Sequence, residues 1–73
     1  MELFRWLMNC NITELLSTLK RANDYSTDEI QDAIYRANQY IDTYGGTTIY
    51  WQMERVERAI IIKCELSGIL SRR

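Results

Sequence analysis

Along most of this chain, apolar residues recur at steps of three and four, the spacing of helices with one face turned inward. Leu15, Leu16, Leu19 and Ala22 make one such stripe; Ile30, Ala33, Ile34, Ala37, Tyr40, Ile41 and Tyr44 make another. Residues 47–70 read as a further helix, and this one carries two stripes. Ile49, Met53, Val56, Ile60 and Cys64 form the first, while Ala59, Ile62, Leu66 and Ile69 form a second, turned to a different side. A helix in a small bundle ordinarily has one apolar stripe and one polar face. The additional stripe needs cover, either from a third segment of the same chain or from another protein. No segment alternates with the period of a strand, so the expected fold class is all-α.

Turn and cap residues divide the helices. Gly45-Gly46 marks a reversal, with Gly45 in the left-handed position that ends a helix and Thr47 or Thr48 capping the next one. Gly68, near the far end, is expected to close that helix with a Schellman turn. Asn11 with Glu14, and Ser26 with Glu29, have the spacing of capping boxes. The second pair follows a polar run, Asn23-Asp24-Tyr25-Ser26-Thr27, which predicts a break near residues 23–26. Against the break, the stripe stays in phase through 15, 19, 22, 26, 30, 33, 37 and 41. Two arrangements satisfy the pattern: a long antiparallel hairpin turning at Gly45-Gly46, or the same hairpin with its first arm broken to give three helical segments. The apolar start (Met1, Leu3, Phe4, Trp6, Leu7, Met8) reads as a cap on the open end of the hairpin, a partner-binding arm, or a membrane-surface helix.

Length sharpens the question of cover. With 73 residues the chain is expected to be a single small domain, 1–73, close to the stability threshold. Chains this small usually need a disulfide, a metal or an oligomeric partner. There is no histidine, and the two cysteines, Cys10 and Cys64, are far apart and set among apolar neighbours, so they read as core residues. Glu2 and Arg5 interrupt the apolar start, which argues against a signal peptide. The longest apolar run, Ala59–Ile62, ends at Lys63, far short of a membrane span. A cytoplasmic protein is therefore expected. The net charge of −1, with scattered basic residues, argues against nucleic acid, since phosphate binding needs a basic footprint. Only Arg72-Arg73 is an unopposed basic spot.

Candidate chemistry is sparse. Without histidine the commonest general base is missing, and neither cysteine has a close basic neighbour in sequence. Asp28/Asp32 and Glu54/Glu57 fall at helical spacing, but Asp32 can pair with Arg36 and Glu54 with Arg58. Tyr44-Gly45-Gly46-Thr47 lacks the spacing and lysine of a phosphate-binding loop. No enzyme, cofactor or metal is expected. Tyr40, Tyr44, Tyr50 and Trp51 cluster at the turn, where they either close the tight end of the hairpin or form a binding anchor.

The residues Gly45-Gly46, Tyr50-Trp51-Gln52, Glu54, Glu57 and Ala59-Ile60-Ile61-Ile62 resemble the turn and second helix of the small co-chaperones of type III secretion needle proteins. The resemblance implies a helical hairpin that binds a helical-repeat (tetratricopeptide-like) chaperone and, with it, keeps the secretion needle subunit soluble and monomeric in the cytosol. It implies a partner-facing side made of Ala59, Ile62, Leu66 and Ile69, with Tyr50 and Trp51. The alternative is a self-associating small helical regulator or inhibitor, phage or bacterial, that masks a protein surface. A homo-oligomer of the chain alone is a further option.

Overall fold

Both capping boxes form, and they fix where two of the helices begin. In a computed structural model describing residues 2–73, Asn11 Oδ1 accepts from the Glu14 N–H at 2.8 Å and its amide reaches back to the Glu14 carboxylate at 3.0 Å. Ser26 Oγ likewise accepts from the Glu29 N–H at 3.2 Å and donates to its carboxylate at 3.1 Å. Each box satisfies a backbone donor that a helix start would otherwise leave open. Among the described residues the elements are α1 (Leu3–Asn9), α2 (Ile12–Lys20), a 3₁₀ turn (Ala22–Asp24), α3 (Thr27–Tyr44) and α4 (Tyr50–Ser71). The first arm is thus broken at the polar run, and an extended Cys10 (φ −77°, ψ 164°) breaks it again. Helices α3 and α4 form the antiparallel hairpin.

The glycines behave differently from expectation. Gly45 is right-handed (φ −62°, ψ −20°), and no described residue has positive φ. Its value lies in close approach, because a Cβ there would collide with the Ile41 carbonyl oxygen. Gly68 does not end α4, which runs on to Ser71 with Arg72 as its C-cap. Ile49 is the N-cap of α4, its N–H held by Thr47 Oγ1 at 3.1 Å, and Thr47 Oγ1 in turn donates to Gln52 at 2.6 Å.

One shared core joins all four helices. It draws Leu3, Leu7 and Met8 from α1, Leu15 and Leu19 from α2, and Ile30 and Ala33 from α3. From α4 it takes Ala59, Ile62, Leu66 and Ile69. The alanines let α3 and α4 approach closely, while leucine and isoleucine fill the space beneath α1 and α2. The apolar start is therefore a helix packed on the hairpin; Met1 lies outside the described residues. Phe4 meets the ring of Tyr40 at 6.2 Å, and Trp6 donates to Thr18 at 3.3 Å.

Polar fastenings close the ends. Arg58, expected to pair with Glu54, instead donates from Nε to the Leu7 carbonyl at 2.8 Å and from its terminal nitrogen to the Cys10 carbonyl. Those are orphan acceptors at the C-terminus of α1, where a cation also complements the helix dipole. Arg73, at the expected basic spot, is committed internally. It donates to Thr27 Oγ1 and to the carbonyls of Asn23 and Tyr25 at 2.7–2.9 Å, tying the end of α4 to the α2–α3 connection. Arg36 does pair with Asp32, at 3.0 Å, and also with Glu2 of the α1 N-cap at 3.3 Å.

Two outcomes test this arrangement. Ile62→Ala is expected to cost about 2–5 kcal/mol in urea unfolding, whereas Ile60→Ala, two residues away, should stay within about 0.5 kcal/mol. Arg58→Ala should cost about 1–3 kcal/mol and speed amide exchange selectively in α1, since two carbonyls lose their partner.

Candidate interaction surface

Residues two apart on a helix lie about 200° round its axis, so the two stripes of α4 cannot both face the core. The structure decides between them, and corrects the expected partner side. Ala59, Ile62 and Leu66 are fully buried, and Ile69 is 6% exposed. All four are core residues covered by the chain's own α1, α2 and α3, so they are not available to a partner. The open stripe is the other one. Ile49 (48% exposed), Met53 (45%) and Ile60 (42%) face outward, together with Cys64; only Val56, at the edge toward α3, is buried. Tyr50 and Ile61 flank this row on one side and are also exposed.

The two aromatic site residues are open, as expected of anchors, but they point apart. Tyr50 is 75% exposed and adjoins the outer row; its phenol bonds the Glu54 carboxylate, which raises its pKa above the usual tyrosine value. Trp51 is 60% exposed and stands on the arc of Arg55 and Arg58, on the α1 side of the helix. Tyr40 and Tyr44 stay with the turn, their rings stacked obliquely at 4.7 Å. The predicted aromatic cluster is thus split between a packed pair and two open side chains.

A second apolar opening escaped the pattern. Leu16, grouped by spacing with Leu15 and Leu19, is exposed on α2, as is Ile12 one turn before it. Leu16 and Leu19 meet Ile61 of α4 across a groove of about 270 Å³, with Lys20 and Glu65 at its rim. The available signal was the i, i+4 pair Ile12/Leu16, which runs beside the Leu15/Leu19 stripe rather than within it. Elsewhere, Glu2, Asp28, Glu29 and Asp32 border an acidic groove between α1 and α3. No described group of His, Cys, Asp and Glu is placed to hold a metal ion, and no described helix is long and apolar enough to cross a membrane.

The outer surface of α4 is therefore apolar and helical, with hydrogen-bonding capacity at Tyr50. No protein-family model, curated protein or solved structure matches the chain.

Trp51 offers a direct probe of this surface. With Trp6→Phe, the remaining emission should be red-shifted and readily quenched by iodide. With Trp51→Phe it should be bluer and protected, because Trp6 packs against the core.

Proposed function

We propose that this chain is a protein-binding helical module that presents the outer face of α4 to another helical protein. The observation that carries the reading is the exposed row Ile49, Met53 and Ile60 on a helix whose opposite face is already fully used. Large apolar side chains contribute about 1.5–3 kcal/mol each when fully buried, so a row of them left in water is a standing drive toward association. Tyr50 adds a rigid aromatic anchor of the kind enriched at binding hot spots.

The most concrete form of the reading is the co-chaperone role that the resemblance suggests. In it the chain works in the cytoplasm with a tetratricopeptide-like chaperone to keep a type III secretion needle subunit soluble. A helical-repeat partner offers a concave, helix-lined surface, and an amphipathic helix fits such a surface through residues at i, i+4 and i+7. In the outer row Met53 stands at i+4 from Ile49, and Ile60 at i+7 from Met53. The function is binding, without a catalytic step.

Co-expression with a needle subunit and a helical-repeat chaperone tests the role. A co-eluting complex in size exclusion is expected. Met53→Asp or Ile60→Asp should weaken it at least about 30-fold while leaving the far-UV circular dichroism of the free chain unchanged. Failure of the native chain to co-purify with either protein overturns the co-chaperone reading.

A further inference from the structure

We propose that the outer face of α4 is a homodimerisation surface, on which a second copy packs α4 against α4 in antiparallel orientation. The argument begins with spacing. The open apolar positions 49, 53, 60 and 64 are symmetric about the point between Val56 and Glu57. Reversed end to end, the row matches itself: Met53 falls opposite Ile60 of the second copy, and Ile49 opposite Cys64. A two-fold contact requires this self-complementarity, because each residue must suit the partner of its own partner. Positions 49, 53 and 60 fall on the 3.5-residue seam of shallow left-handed helix packing, whose intervening position, Val56, is covered within the monomer.

Antiparallel orientation is favoured by the opposed helix dipoles.

The area suits a reversible pair. Ile49, Tyr50, Met53, Ile60 and Ile61 each leave roughly half or more of a side chain open, on the order of 600 Å² per copy with Cys64. Two such faces, wholly covered, bury at most about 1,200 Å², the lower edge of specific interfaces, as a reversible pair would. Glu57 lies exposed beside the two-fold axis, so like charges meet at the rim and salt should tighten the dimer. The proposal rests on the open face of α4 and stands or falls separately from the co-chaperone role. It does imply that dimer and hetero-complex compete for that face.

Cross-linking at the exposed Cys64 tests the register. In the antiparallel pair the two Cys64 residues are about 22 Å apart along the helices, too far for a disulfide. The native chain treated with copper phenanthroline should therefore give no covalent dimer. The Ile49→Cys variant should give one, because its introduced thiol lies opposite Cys64 of the second copy. Sedimentation equilibrium of the native chain at about 10–300 μM, the range that reads micromolar affinities, should show monomer–dimer exchange. Ile60→Asp should stay monomeric there with unchanged circular dichroism. A native chain that is monomeric throughout that range overturns the proposal. So does a Cys64–Cys64 dimer of the native chain, which would indicate parallel pairing, or an Ile49→Cys chain that dimerises in sedimentation without cross-linking.

Discussion

A single helix forms the wall against which the rest of this molecule folds, and a helix can be covered only over the arc its neighbours reach. α4 is the longest element, and α1, α2 and α3 all pack on the side that carries Ala59, Ile62, Leu66 and Ile69. Three neighbours on one side leave no described element to cover the other. The exposure of Ile49, Met53 and Ile60 is thus a consequence of topology, fixed once the second stripe is taken into the core.

That constraint also explains where the charges go. On the covered arc, Arg58 lies among positions that a simple wheel would assign to the polar side of α4. It is tolerated because α1 ends there, with carbonyls that need donors, and one planar guanidinium serves two of them. Arg73 acts similarly at the other end, bonding two carbonyls and a hydroxyl of the α2–α3 connection. Both arginines hold short elements that could not persist alone: α1 has seven residues, well below the length at which an isolated helix is stable. Apolar burial gives the hairpin its stability, and these hydrogen bonds fix how the N-terminal helices lie across it.

What was legible in the sequence followed from local chemistry. Capping boxes at Asn11/Glu14 and Ser26/Glu29, the break in the polar run and the reversal at Gly45-Gly46 all depend on residues within one turn of each other. The phase of α4 was legible too, since both stripes are present in the structure. Which stripe is the core was not, because periodicity gives the angle between two faces but says nothing of which face other elements will reach. Deciding it needed the position of α1 and α2, and those depend on Arg58 and Trp6 contacts spanning many residues. Leu16 shows the same limit on a smaller scale, sharing the spacing of Leu15 and Leu19 yet standing outside their arc. The glycine expectations failed for a different reason: Gly45 matters for the room it leaves beside Ile41, Gly68 lies within α4, and neither adopts left-handed backbone.

The separation of the two stripes has a thermodynamic meaning. Residues of the inner stripe contribute to folding, and a small domain has little stability to spare, so their identity is constrained by the monomer itself. Residues of the outer row contribute little to folding, and their exposure is a liability for solubility. Nothing in the monomer calls for isoleucine at 49 and 60 or methionine at 53; lysine or glutamate would serve an isolated helix as well or better. The apolar row is therefore accounted for by a state in which that face is covered, and the self-matching order of its residues makes a second copy of α4 the cover that requires no additional component.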